Sequence, residues 1–397
     1  MRAVPVLVSP VLAVLLVVLG LSAGPTTADD LLGPPLVDAR TREAIDAGLR
    51  FLQRTQNPDG SWTSNAGKKI NEGYAPFEGG VDVPHVGITS LAVLAFLAGG
   101  HVPGRGPYGA TLDRAVDFVL ASVNPEGFIG AHRTRMYSHA FGVLALAEVY
   151  GLTRKERLRA RLQDAVEYTV KCQNETGGWR YVPFTKDSDM SVTVCQVVAL
   201  RAARNAGIRV PRATIDRALH YVIESANTGD NRYPVGSFTY QPQSQEFNRD
   251  SFALSAAGLA TLLQAGLYDD ESIRAYATAR HVDKRPLPRI ADILEYMAQK
   301  YREVRREYAD HYFFYYGVYY AAQAIYTLGA RQPVLWTSWY RQVRDDLLAR
   351  QRRGAARGGG GEEGWWVSNV DTSHAYATAS ALLILQFPLD QLPIHQR

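Results

Sequence analysis

The sequence predicts an all-α protein folded as an α/α toroid of about six helix pairs, and three observations predict it. A phrase recurs at fixed spacing, Gln56-x-x-x-Gly60-x-Trp62 in QNPDGSW and Gln173-x-x-x-Gly177-x-Trp179 in QNETGGW, which marks a repeat architecture. Around each copy an amphipathic helical pattern is followed by a nearly uncharged one. No strand-period pattern of useful length interrupts them.

The first pair is REAIDAGLRFLQRTQ followed by HVGITSLAVLAFLAGG. Ile45, Leu49 and Leu52 recur at helical spacing with Arg and Asp between them, so this helix has one wet face, whereas its partner lacks charge and must be surrounded by protein. The second pair is TLDRAVDFVLASV with YSHAFGVLALAEVYG, and the third RLQDAVEYTVKCQ with SVTVCQVVALRAARNAG. The fourth is TIDRALHYVIESA with SFALSAAGLATLLQAG. The fifth joins IADILEYMAQKYREVRREY to the aromatic run HYFFYYGVYYAAQAIYTLG, and the sixth joins WYRQVRDDLLARQ to SHAYATASALLILQF. A weaker copy of the loop phrase is NPEGF, with Gly127 and Phe128, and another begins at Gln351 and resumes at Gly364-Trp365 after a Gly-rich insertion. That insertion, 352–364, reads as a mobile surface loop. Gly100, Gly151, Gly207, Gly266 and Gly329 stand at or near the ends of second helices, where a left-handed C-cap favours Gly. Pairs with one wet and one wholly apolar helix close as two concentric rings, apolar inside; an open solenoid is the alternative, but such arrays keep a polar concave face.

The 397 residues carry 46% apolar and 10% aromatic side chains and a formal net charge of only +4. That suits one large core and argues against a nucleic-acid partner. Residues 1–28 combine one positive charge, an apolar run and a small-residue site after Ala28, which reads as a signal peptide ahead of a single toroid domain over 29–397. Retained, the same run is long enough for a membrane anchor. The localisation expected is therefore export, periplasmic or secreted. The cysteines, Cys172 and Cys195, are either one bridge or two buried thiols.

The Gln-x-x-x-Gly-x-Trp loops joined to paired helices resemble the repeats of squalene/hopene-type terpene cyclases and protein prenyltransferase β subunits. The ending FPLDQLPIHQR resembles the close of exported bacterial proteins carrying these repeats. The resemblance implies a central cavity lined by aromatic rings that receives an apolar, isoprenoid-like ligand, with peripheral membrane contact as a further expectation and no cofactor. Trp62 and Trp179 are read as structural, each sealing a helix interface with a large buried ring.

The segment Asp187-Ser188-Asp189-Met190-Ser191-Val192-Thr193 resembles the Asp-x-Asp-Asp-Thr acid motif of class II terpene cyclases. The resemblance makes Asp187 and Asp189 the catalytic candidates, Asp189 as proton donor, with Met190 in place of the last acid. Such a donor needs an apolar setting that keeps a carboxyl neutral. Asp189 or Ser191 is equally suited to cap the helix that follows, and Asp82 and His85, Asp250, Asp310 and His311, and Asp371 and His374 stand at similar positions. Asp371-Thr372-Ser373-His374-Ala375-Tyr376 also resembles the segment that supplies the zinc histidine of protein prenyltransferases, but Tyr312 stands where their cysteine ligand would be, so no metal is expected. Tyr312, Tyr316, Tyr319 and Tyr320 recur at helical offsets. Tyr312, Tyr316, Tyr320 and His374 are the candidate substrate contacts, with plain core packing as the alternative for the rings. Gln323 is a candidate partner for their hydroxyls.

Two other function classes remain open at this stage: a protein-interaction toroid without catalysis, and a polysaccharide-active toroid whose acids and aromatics line a groove. No nucleophile elbow, P-loop, dinucleotide fingerprint or His-Glu-x-x-His helix is present.

Overall fold

A computed structural model describes residues 35–70, 73–229, 232–244, 251–307, 311–355, 361–370 and 372–395. The signal peptide read over 1–28 lies outside them, and among the described residues no helix is long and apolar enough to cross a membrane.

Six helices that alternate with more deeply buried ones form the outer layer: α1 (Ala39–Thr55), α3 (Gly109–Ala121), α5 (Glu156–Cys172), α7 (Arg212–Glu224), α10 (Ile290–Glu307) and α12 (Pro333–Arg350). The inner layer is α2 (Val86–Ala98), α4 (Met136–Thr153), α6 (Met190–Asn205), α8 (Phe252–Gln264), α11 (Tyr312–Gly329) and α13 (Ala375–Leu385). Every residue of α2 is buried, whereas α1 buries a single face that includes Ala44, Ile45, Leu49 and Leu52. Each buried Leu or Ile side chain stabilises the fold by about 2–3 kcal/mol relative to exposure, so an uncharged helix is stable only when enclosed. In the inner ring α2 packs on α4, α4 on α6, α6 on α8, α8 on α11, α11 on α13, and α13 returns to α2. The ring is closed, which settles the choice between toroid and solenoid. Each outer helix also packs against the inner helix of the preceding pair: α3 on α2, α5 on α4, α7 on α6, α10 on α8, α12 on α11, and α1 on α13.

The repeated loop accounts for this stagger. Gly60, Gly127, Gly177 and Gly236 have φ between +83° and +96°. A Cβ on each would stand 2.1 to 2.3 Å from the carbonyl oxygen of Arg114, Asp164, Arg217 or Asp292, on the next outer helix. Only glycine permits both the left-handed turn and this approach. Two residues beyond each glycine, the backbone N–H of Trp62, Ile129, Trp179 and Phe238 donates to Thr89 Oγ1, His139 Nδ1, Thr193 Oγ1 and Ser255 Oγ. Trp366 N donates in the same way to Thr378 Oγ1. Each acceptor is the fourth residue of its inner helix. The indole N–H groups of Trp62, Trp179 and Trp366 donate back to Leu52, Thr169 and Leu347 on their own outer helices, which makes Trp62 and Trp179 structural. The glutamine of the phrase reaches forward: Gln56 Nε2 donates to Thr111 O, Gln173 Nε2 to Thr214 O, and Gln351 Nε2 to Ala44 O, joining the last outer helix to the first.

This geometry corrects the register of two copies. The repeat aromatic at the end of the chain is Trp366, fully buried, and not Trp365, which is half-buried and stacks on Phe51 at 5.6 Å. In the second copy the position belongs to Ile129; Phe128 instead stacks on His139.

Further features refine the sequence reading or depart from it. A short helix α9 (Asp270–Ala279) follows α8 outside the six pairs, started by a capping box between Asp269 and Ser272. Short strands exist: β1 (Thr63–Ser64) pairs with β4 (Val83–Pro84), β2 (Gly67–Ile70) with β3 (Gly73–Pro76), and β5 (Arg352–Ala355) with β6 (Glu362–Trp365). The ends of the 352–364 insertion are therefore a hairpin, anchored by Arg54 to Glu363 at 2.6 Å and by Arg50 to the carbonyl of Glu362 at 2.7 Å; residues 356–360 lie outside the described residues. Gly100, Gly207 and Gly266 take the left-handed conformation expected of helix ends. Gly151 lies inside α4, which Arg154 ends at φ 53°, and Gly329 is the last residue of α11 without a left-handed turn. Cys172 and Cys195 are buried free thiols.

After α13 the chain makes one 3-10 turn at Phe387–Leu389 and a second at Pro393–His395, which lies on α4 and α6.

Candidate functional site

Because every outer helix is followed by a loop into an inner one, all six inner helices start at the same end of the ring. That end is lined by aromatic rings that keep partial exposure: Tyr137 and Phe141 of α4, Tyr316 of α11 and Tyr376 of α13. At the same end, Asp189 precedes α6 as its N-cap.

Asp189 is fully buried at the start of α6. Its Oδ1 accepts from Val192 N at 2.9 Å, capping the helix, and from Ser191 Oγ at 2.5 Å. Its Oδ2 pairs with Arg180 Nη1 at 2.9 Å. Arg180 Nη1 also donates to Tyr240 Oη at 3.0 Å, and Tyr240 shares a short hydrogen bond with Tyr181. Tyr137 Oη donates to Ser191 Oγ at 2.6 Å, so a chain of hydroxyls runs from the half-exposed Tyr137 through Ser191 to the carboxyl. Burial pushes the Asp189 pKa up, against the hydrogen bonds from Ser191 and Val192 and the Arg180 charge that pull it down. Burial likewise holds the phenols of Tyr137, Tyr316 and Tyr320 well above their ordinary value and the Cys195 thiol up at about 12. These phenols and this thiol stay protonated at neutral pH.

The other candidates fall as follows. Asp187 is 56% exposed and pairs with Arg180 Nε at 2.9 Å, so Arg180 bridges the two acids while only Asp189 enters the ring. Tyr316 Oη donates to the carbonyl of Ser191 at 3.0 Å, and its ring lies 4.7 Å from that of Tyr320. Tyr320 Oη lies 3.2 Å from Cys195 Sγ, joining α11 to α6 across the ring interior. Tyr312 begins α11, and its side chain lies outside the described residues. His374, half-buried, precedes α13 in a left-handed conformation, φ 62°, and does not cap it. Gln323 is not the partner of the neighbouring phenols; its Oε1 accepts from Gln264 Nε2 at 2.5 Å.

Capping is shared by several residue types. His85 Nδ1 caps α2, Ser251 caps α8 and His311 Nδ1 caps α11, while Asp82 is exposed. Asp250, Asp310 and Asp371 lie outside the described residues. Among the described residues no group of His, Cys, Asp or Glu is gathered as a metal site. Two hollows walled by described residues lie off the ring axis: a void of about 10 Å³ between α8, α10, α11 and α12, and an exposed hollow of about 310 Å³ at Asp270, Arg274, Arg285 and Arg289.

Sequence reasoning missed Arg180, Tyr137, Tyr181 and Tyr240. One signal was available for Arg180: it directly follows Trp179, where the other aligned copies carry the uncharged Thr63, Gly130, Thr239 and Val367. Nothing local distinguishes Tyr137 or Tyr240, which come from other repeats.

Residues 111–282 and 289–396 match the model of the prenyltransferase alpha-alpha toroid domain. A drimenyl diphosphate synthase of Streptomyces showdoensis is 29% identical over 206 residues, 51% of this chain, and the chain spans about a third (33%) of that relative's length. The toroid also resembles two solved structures at fold level. One is the family 76 glycoside hydrolase Bt3792 from Bacteroides thetaiotaomicron, with TM-score 0.56, 10% identity, and coverage of 88% of this chain and 97% of that one. The other is a cellobiose 2-epimerase from Spirochaeta thermophila, with TM-score 0.53, 15% identity, and coverage of 90% and 99%. With its closed ring of paired helices and its match over most of the described length, the chain belongs to the prenyltransferase alpha-alpha toroid domain family.

Proposed function

We propose that this toroid binds an apolar, isoprenoid-like chain at its tyrosine-lined mouth. The observation that carries the reading is the set of largely buried, partly accessible rings, Tyr137, Phe141, Tyr316 and Tyr376, at the end where the inner helices start. Aromatic faces there offer apolar contact, and their hydroxyl partners fix the rings in place. The partial match to a drimenyl diphosphate synthase supports the ligand class. Export belongs to the same proposal, supported by the apolar run and small-residue site within residues 1–28.

A second reading adds catalysis, favoured by the burial that raises the Asp189 pKa. In that reading a protonated Asp189 gives its proton to a carbon–carbon double bond of the bound chain. A second double bond of the same chain attacks the carbocation and closes a ring, the resulting cation loses a proton to water, and the carboxylate, compensated by Arg180 meanwhile, regains its proton from water. Against it, both carboxyl oxygens already accept from protein donors, one of them a cation.

The deciding experiment incubates the purified protein and Asp189→Asn with squalene and shorter polyprenyls. Binding is followed by intrinsic fluorescence, and products by gas chromatography and mass spectrometry. Asn keeps the helix cap. Saturable binding by both without product supports the binding reading. A cyclised product lost in Asp189→Asn establishes the acid, and no binding by either folded protein overturns the proposal.

A further inference from the structure

The mouth is one end of the ring axis; the other end is closed by the chain itself. α13 stands opposite α6 in the order of inner helices, and the segment after it ends on α4 and α6. A chain that leaves one wall and lands on the opposite one crosses the axis. Leu392, Ile394 and His395 are buried there. The His395 ring lies flat on Phe387 at 4.0 Å and meets Tyr319 of α11 edge-on at 6.0 Å. Three inner helices, α4, α6 and α11, therefore meet this segment.

The seat is apolar and thinly hydrogen-bonded. Ile394 N donates to Glu148 Oε2 of α4 at 3.3 Å, the one hydrogen bond between the segment and an inner helix recorded among the described residues. Tyr319 Oη and His395 Nε2 are buried in the same seam without a hydrogen-bond partner among the described residues. A seam meant to stay shut satisfies its buried polar groups or replaces them with apolar ones. Leu392 and Ile394 also present branched four-carbon side chains, close in size and shape to the methyl-branched units of an isoprenoid chain.

We infer that the segment Leu392–His395 is an autoinhibitory plug, occupying the deep end of the ring axis and giving way when a long apolar chain enters from the mouth. The inference rests on the proposed ligand class and adds how access to the core is controlled. The plug competes for the space that the far end of the ligand fills, so a ligand short enough to stop above Tyr320 leaves it seated, and a longer one displaces it.

The test uses the full chain with geraniol as short probe and geranylgeraniol as long probe. Hydrogen exchange of the peptide carrying Leu392–His395 is read in the parent protein. Probe affinity is read in the parent and in a Leu392→Asp/Ile394→Asp variant, whose charged segment favours water over the seat. Expected are faster exchange of that peptide with geranylgeraniol but not with geraniol, and an affinity for geranylgeraniol about tenfold higher in the variant, because displacement no longer taxes binding. Geranylgeraniol binding that leaves the peptide's exchange unchanged overturns the plug while the binding reading stands. Failure of both proteins to bind either probe overturns both. The exchange measurement needs only the parent, so a variant that fails to fold leaves the inference open to refutation.

Discussion

Glu148 gives the sharpest quantitative test of the seam at the deep end of the ring. It is 2% exposed, and burial pushes its pKa from the 4.5 of a free glutamate to about 8, against the pull of the Ile394 N–H. The groups facing it are that amide, the Tyr319 phenol from α11 and the segment carrying His395. A carboxyl whose folded pKa is raised binds more protons folded than unfolded. Its stabilisation is complete below 4.5 and is lost as pH rises through 8. The full span is worth up to about 5 kcal/mol, and the part between pH 5 and pH 8 about 3–4 kcal/mol. Burial lowers His85 to about 4 and His139 and His395 to about 3, so these groups act in the opposite sense: their contribution is present above 6.5 and lost as pH falls. Asp189, also raised, acts in the same sense as Glu148. Because several groups titrate, the difference between parent and Glu148→Gln isolates the one of interest. Gln keeps an acceptor for Ile394 N and cannot ionise. Urea unfolding of both proteins at pH 5, 6, 7 and 8 should give nearly equal stabilities at pH 5 and a variant more stable by roughly 3–4 kcal/mol at pH 8. A gap between the two proteins that stays constant from pH 5 to pH 8 would refute the reasoning.

Two further predictions concern the repeat. Gly177→Ala and Gly266→Ala both place a Cβ on a left-handed backbone, φ +90° and +88°, at about 1–2 kcal/mol each. Only at Gly177 does that Cβ strike a backbone oxygen, so its melting temperature should fall clearly further than that of Gly266→Ala, which has nothing within 4 Å; equal falls would deny the clash. Trp366→Ala removes a fully buried ring and its hydrogen bond to Leu347 and should cost about 3–5 kcal/mol in denaturant unfolding. Trp365→Ala removes a half-buried ring and should cost less than half as much; the reverse order would return the repeat position to Trp365.

The toroid was legible because its two signals are local. Helical period and scarcity of charge identify inner helices within a dozen residues, and the Gln-x-x-x-Gly-x-Trp phrase recurs intact after two outer helices and in altered form after others. Fine register was less legible. Trp365 and Trp366 are adjacent, and what separates them is the bond from Trp366 N to Thr378, twelve residues away. The hairpin in the 352–364 insertion depends on Arg54 and Glu363, far apart in sequence, and composition alone reads the segment as a loop. Asp189 could be found from its place before α6. Tyr240, which accepts from its partner Arg180, comes from a different repeat, and no spacing within one repeat indicates it. The closing segment was read as a family-like ending, and its course across the ring depends on contacts with α4 and α6.

The bonds that join the last outer helix and the final hairpin to α1 have a kinetic consequence. Gln351 reaches Ala44 across 307 positions, whereas Gln56 reaches Thr111 across 55. Each repeat can therefore assemble on its predecessor at the modest entropic cost of a short loop, but the circle cannot close until the first and last helices meet. Until then the exposed flanks of α1 and α13 are apolar surfaces without partners. The loop-closure cost makes the seam between them the expected site of the final ordering step, and the place from which opening of the folded ring should begin.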